Sequence, residues 1–207
     1  MISVSNIKIE LYNQTSEHIF YSQPESNCLT VIFPGGNNST KTPILHYCRK
    51  HLLENHSDFL SISYKNLIVS EDSDEVKLEK VISAVYEAIK KVQEGKNYTK
   101  KVFISRSFGN IVSNEIKIKE SITADKCIYI APTDEAVKYF ETYPGLIITG
   151  TKDSYLPVEQ VNIIKEKYKD DVLVFENGNH SIESDDMSDT LDFCKKAVLK
   201  IIDYLEM

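Results

Sequence analysis

No run of apolar residues in this sequence approaches the roughly 18 needed to cross a bilayer. Residues Met1 to Glu10 lack the basic, then apolar, then small-residue succession of a secretion signal. Cysteine is scarce, and Cys28, Cys48, Cys127 and Cys194 stand far apart, so no metal-ligand spacing exists. Cys28 and Cys127 open apolar runs, as buried free thiols do, and a cytoplasmic location with reduced thiols is the expectation. A basic excess is also missing. The formal net charge is −7, which argues against nucleic acid and membrane as partners, because both select a basic face. The lysine pairs Lys90-Lys91, Lys100-Lys101 and Lys195-Lys196 are short and scattered, and read as solvated helix ends and loops. Neither a repeat nor a Pro/Gly/Ser-rich linker divides the chain, so residues 1–207 are expected to form a single domain.

What is present is an ordinary globular composition, 42% hydrophobic and 27% charged. A chain of this length buries roughly 70% of its unfolded surface without staples. Ile7–Tyr12 and His18–Ser22 alternate like two short strands joined by the polar turn Asn13-Gln14-Thr15-Ser16. Leu29–Phe33 is a continuous apolar run, as a buried parallel strand requires, and Pro34-Gly35-Gly36 stops it. Pro43–Leu53 reads as a helix with Thr42 as its N-cap. Phe59–Tyr64 is a fourth strand, followed by a polar loop. Asp74–Val92 then has helical spacing, with Val76, Val81, Val85 and Ile89 on one side. Strands follow at Val102–Ser105, Lys126–Ala131, Gly145–Thr149 and Val172–Phe175, separated by helices at Phe108–Ile118, Asp134–Phe140 and Val158–Tyr168. Asp189–Leu205 closes the chain as a helix. This alternation calls for an α/β fold: an eight-stranded, mostly parallel sheet with helices on both faces. In such sheets function collects at the carboxyl ends of the strands.

Four strand ends carry chemistry. The fifth strand ends in Ser105-Arg106-Ser107-Phe108-Gly109, with small residues two before and two after Ser107, as a tight strand-to-helix turn requires. Ser105 as the exposed residue would put Phe103 at the first of those positions and fails. The third strand ends in Pro34-Gly35-Gly36-Asn37-Asn38, the seventh in Thr149-Gly150-Thr151-Lys152-Asp153, and the eighth leads into Asn179-His180-Ser181-Ile182-Glu183. His18, His46, His51 and His56 all precede Ser107; only His180 follows Asp153. Taken singly, Ser107 also reads as a helix N-cap, Gly35-Gly36 as a plain turn, Asp153 as a turn residue and His180 as a structural histidine.

Taken together, these loops resemble those of the α/β-hydrolase superfamily. The segment around Ser107 resembles its nucleophile elbow G-x-S-x-G, with Ser105 in place of the first glycine. Pro34-Gly35-Gly36 resembles its H-G-G loop, with proline for histidine, and the chain order Ser, Asp, His is the superfamily's. The resemblance covers about Ile7 to Leu205. It implies Ser107 as nucleophile, His180 as base and Asp153 as the orienting acid, with Asp134 as a lesser candidate for that acid. The backbone N–H groups of Phe108 and Gly36, with Asn37 second to Gly36, would hold the oxyanion. The short segment between the sixth and seventh strands leaves no room for a lid domain, so the site should be open. Asn37, Asn38, Arg106, Thr133 and Tyr155 are the expected lining residues, Arg106 reading also as packing behind the elbow. No cofactor or metal is needed.

The implied activity is cleavage of a small-molecule acyl substrate, an ester or thioester, through an acyl-enzyme. Its rate should rise with pH as His180 loses its proton. A peptidase or acyltransferase would use the same atoms. A non-catalytic binding protein on the same scaffold is the reading from another class.

Overall fold

The computed structural model describes residues 1–68 and 72–207. Strands β1 (Ser3–Leu11), β2 (Gln14–Ser22), β3 (Cys28–Phe33), β4 (Asp58–Ser61), β5 (Lys100–Arg106), β6 (Lys126–Ile130), β7 (Leu146–Gly150) and β8 (Val172–Phe175) form one sheet. Its order is β1-β2-β4-β3-β5-β6-β7-β8. β2 pairs antiparallel with both neighbours, and every other pairing is parallel. The α-helices are α1 (Pro43–Glu54), α2 (Asp74–Gln93), α3 (Phe108–Glu120), α4 (Val158–Tyr168) and α5 (Met187–Glu206).

The apolar pattern of the central strands explains the layers. In β3, Leu29, Val31 and Phe33 face α2 and α3, while Ile32 faces α1 and α5. Side chains alternate across a strand, so a strand covered on both faces is apolar throughout. Helices α2, α3 and α4 cover one face through residues such as Val85, Ile116 and Ile164. Helices α1 and α5 cover the other through Leu45, Cys48, Ala197 and Ile201. All four cysteines are free thiols, Cys48 and Cys127 buried and Cys28 and Cys194 partly so. Among the described residues no helix is long and apolar enough to cross a membrane.

Several local expectations shift. Leu11 pairs with Gln14, so the hairpin turns on Tyr12-Asn13 rather than on Asn13–Ser16. Both turn residues have positive φ, 54° and 57°, the handedness that matches the twist of the strands they join. β4 ends at Ser61, not Tyr64. Thr42 does not cap α1 through its side chain, and its hydroxyl is buried without a partner. The carbonyl of Thr42 instead starts the helix by accepting from His46 N–H at 2.8 Å. α5 begins at Met187, two residues early, because Asp186 accepts from the N–H groups of Ser188 (2.8 Å) and Asp189 (3.1 Å). The segment after β6 is a 3₁₀ helix, Asp134–Tyr139, and nothing larger stands between β6 and β7. Part of the polar loop before α2 lies outside the described residues.

His18 is fully buried on β2, and its Nδ1 accepts from Ser63 N–H at 3.1 Å. The proton therefore sits on Nε2, which donates to Ser16 Oγ at 3.1 Å. Burial lowers its pKa from 6.5 to about 4. Because the folded pKa lies below the unfolded one, the neutral form stabilises the fold above pH 6.5, and this contribution is lost as pH falls towards 4. The loss amounts to about 3 kcal/mol. Urea denaturation of wild type and His18→Gln across that window should show a steeper loss in the wild type.

Candidate active site

Because β3, β5, β6, β7 and β8 run parallel, their carboxyl ends bring the four loops to one edge of the sheet. β5 passes into α3 through Ser107, whose φ of 52° and ψ of −123° are unfavourable for a residue with a Cβ. Two backbone hydrogen bonds hold it there. Ser107 N–H donates to the Ile130 carbonyl at 3.0 Å, and its own carbonyl accepts from Asn110 N–H at 2.8 Å. Ser105, in the place of a glycine, is fully buried, with its hydroxyl 2.6 Å from Asn110 Oδ1 and 3.1 Å from the Ile128 carbonyl. Asn110 Nδ2 donates in turn to the Ile130 carbonyl at 3.2 Å. The serine at 105 thus joins β5 to α3 and β6 through hydrogen bonds. Gly109 has no such latitude: a Cβ there would lie 2.5 Å from the Pro34 carbonyl oxygen and 2.6 Å from that of Phe33.

Ser107 Oγ lies 2.8 Å from His180 Nε2. His180 Nδ1 lies 2.9 and 2.8 Å from the two carboxylate oxygens of Asp153, whose side chain is fully buried. A carboxylate only accepts, so it fixes the proton of a neutral imidazole on Nδ1 and turns the Nε2 lone pair towards the serine. Asp153 Oδ1 also accepts from Tyr155 N–H at 2.8 Å. The Tyr155 ring lies against the imidazole, centroids 4.5 Å apart. Asp134 is exposed and makes no hydrogen bond with His180; its backbone N–H bonds the Tyr155 carbonyl at 2.9 Å.

The acid and histidine loops touch through their backbones. Lys152 N–H donates to the Gly178 carbonyl at 2.9 Å, and Thr151 N–H to that of Phe175 at 3.0 Å. A Cβ on Gly150 would lie 2.1 Å from the Gly178 carbonyl oxygen. The histidine loop folds around Asn179, whose Oδ1 accepts from Ser181 N–H (2.8 Å) and Glu183 N–H (3.1 Å). Arg106, only 8% exposed, donates to the His180 carbonyl at 3.1 Å. Burial pushes its pKa down, opposed by the charges of Asp153 and Glu183. Its packing role behind the elbow is therefore real, although it also reaches the cleft wall.

On the opposite side, a Cβ on Gly35 would lie 3.0 Å from Arg106 Nη1 and 3.3 Å from Ser107 Cβ, so this loop runs directly beside the serine. Gly36 and Phe108 both line the cleft. The Phe108 N–H belongs to the first turn of α3, where helix geometry supplies no acceptor and the dipole favours negative charge. Asn37, Arg106, Thr133 and Tyr155 line the cleft as expected, but Asn38 does not. Its φ is 57°, and its side chain turns inward, donating to Ser63 Oγ at 3.1 Å and accepting from Tyr64 N–H. Asparagine suits that left-handed position and tethers the loop to the end of β4. Sequence reasoning missed Ile111, Glu135 and Ser181 as cleft residues. Ile111 was legible in principle, three residues from Phe108 on the same helix face. Among the described residues no cluster of three or more His, Cys, Asp or Glu side chains forms a metal site.

No protein-family model matches the chain, and no curated protein matches it in sequence. Solved structures do match in shape. A serine hydrolase without a lid from Xanthomonas campestris aligns at TM-score 0.69 and 13% identity, over 97% of this chain and 94% of that one. An esterase from Pyrococcus furiosus aligns at TM-score 0.71 and 13% identity, over 99% and 92%. A serine hydrolase homologue from Coxiella burnetii aligns at TM-score 0.69 and 14% identity, over 95% and 97%. The chain has the α/β-hydrolase fold, without a lid domain; identities this low speak to the fold alone.

Two glycine substitutions separate the frame from the mouth of the cleft. Gly150→Ala forces the acid and histidine loops apart and should cost about 1–3 kcal/mol in chemical denaturation. Gly36→Ala, where a Cβ meets nothing within 4 Å, should change stability by less than about 0.5 kcal/mol.

Proposed function

We propose that this protein is a serine hydrolase that cleaves a small ester or thioester. The observation that carries this reading is the unbroken chain of contacts from Asp153 through His180 to Ser107 Oγ, with the serine in a strained turn at a helix N-terminus. In this reading His180 takes the hydroxyl proton as Ser107 attacks the carbonyl carbon. The N–H groups of Phe108 and Gly36 hold the oxyanion, with Asn37 as the second choice to Gly36. His180 then gives its proton to the leaving oxygen or sulfur, and the acyl group stays on Ser107. Water activated by His180 adds to the acyl-enzyme, and the acid departs. Asp153 keeps the imidazole in the productive tautomer and stabilises its charged form.

The open cleft suits a small or projecting acyl group, or the end of a larger molecule, and a small-molecule acyl substrate is the reading taken first. An amide substrate or a non-water acceptor would use the same atoms, and a peptidase or acyltransferase remains the alternative within this chemistry. We assign the protein to the cytoplasm on its four free thiols.

A fluorophosphonate probe should label Ser107 alone, located by peptide mass spectrometry, and His180→Ala should abolish the adduct. Folded protein without an adduct and without ester turnover would transfer the case to a binding protein on this scaffold. Once a substrate ester is found, Asp153→Asn should lower kcat by about 10³–10⁴-fold, since the amide favours the wrong tautomer. Steady-state kinetics at pH 7 measure this.

A further inference from the structure

The cleft at Ser107 has two arms. One contains His180, Ser181, Thr133 and Tyr155. The other runs away from His180, over the first turn of α3 towards α2, and is walled by Ile68, Leu78, Phe108 and Ile111. Gly36, Phe108, Ile111 and Glu135 border both, so the trough is continuous with the cleft. Its lining is mainly apolar. Ile68 is 43% exposed, and Ile111, half-buried, packs into neither hydrophobic core among the described residues. Gly36 contributes no side chain at the junction, and a Cβ there would meet nothing.

Reaction geometry decides which part of a substrate enters which arm. The leaving atom receives its proton from His180, so the leaving group occupies the arm that holds His180. With the oxyanion on the N–H groups of Gly36 and Phe108, the remaining substituent of the carbonyl carbon points away from the imidazole, into the trough. We propose that this trough is an acyl-chain site for straight, uncharged chains of medium length, such as hexanoyl or octanoyl. The proposal rests on the hydrolase reading above. The charge of the rim agrees with an uncharged chain. Lys77 pairs with Asp74 at 3.1 Å, and Glu135 has no cation within salt-bridge distance among the described residues. A terminal carboxylate, as in a succinyl group, would therefore meet Glu135 uncompensated.

The test is a series of p-nitrophenyl esters with a constant leaving group. Full burial of a methylene is worth about 4-fold, and an open trough covering one side of the chain gives about 2-fold. From acetyl to hexanoyl, four methylenes, kcat/KM should rise about 16-fold, and a succinyl ester should fall below the butyryl ester. Ile68→Asp, at an exposed position, should flatten the rise while leaving acetyl turnover within about 2-fold. A flat wild-type series, or an Ile68→Asp variant that keeps the rise, overturns the acyl site and leaves the hydrolase reading standing. Absence of turnover with every ester overturns the hydrolase reading. Binding without turnover then decides the trough: calorimetry of Ser107→Ala with S-octanoyl-N-acetylcysteamine should show an affinity about tenfold weaker in the Ile68→Asp background. No detectable binding overturns the proposal.

Discussion

The whole edge of the sheet that carries Ser107 depends on backbone meeting backbone where no Cβ fits. At Gly109, helix α3 is drawn against the carbonyls of Phe33 and Pro34. That contact brings the Gly35-Gly36 turn beside the serine and brings its backbone into reach of the same atom. At Gly150, the end of β7 is pressed against Gly178, so the loops of Asp153 and His180 share one backbone frame. The 2.8 Å contacts of the Asp–His–Ser chain lie between loops held by these two approaches.

Around this frame lies a buried polar network with few loose ends. Ser105, Asn110 and the carbonyls of Ile128 and Ile130 bind the elbow to β6. Arg106 binds it to the histidine loop. Buried polar groups are expensive when unpaired and rigidifying when paired, so such a network fixes one geometry of the turn. It supplies the restraint that keeps Ser107 in its unfavourable conformation.

The strand ends and their order were legible in the sequence because apolar runs and glycines mark them. β8 and α4 begin and end where the pattern puts them, for Pro157 and the charged stretch Lys165–Asp171 bound them sharply. Ser107, Asp153 and His180 could be singled out because each follows a strand and the chain order is distinctive. The rest depended on tertiary contacts that no local pattern records. Asn38 sits in a glycine-rich polar turn like Asn37, yet it accepts a hydrogen bond from Tyr64 N–H, just past the end of β4, that turns it inward. Thr42 has the residue type of a helix cap, but its side chain makes no cap hydrogen bond with α1. Leu78 reads as the flank of an amphipathic helix; only the packing of α2 beside α3 brings it to the trough walled by Phe108 and Ile111.

The short 3₁₀ segment between β6 and β7 has a consequence in time as well as in space. Where a lid must open and close, its microsecond-to-millisecond motion sets a ceiling on turnover. Among the described residues nothing of that kind stands over the cleft at Ser107, so entry to it requires no such opening step. A cleft built this way discriminates through its walls, not through a moving cover.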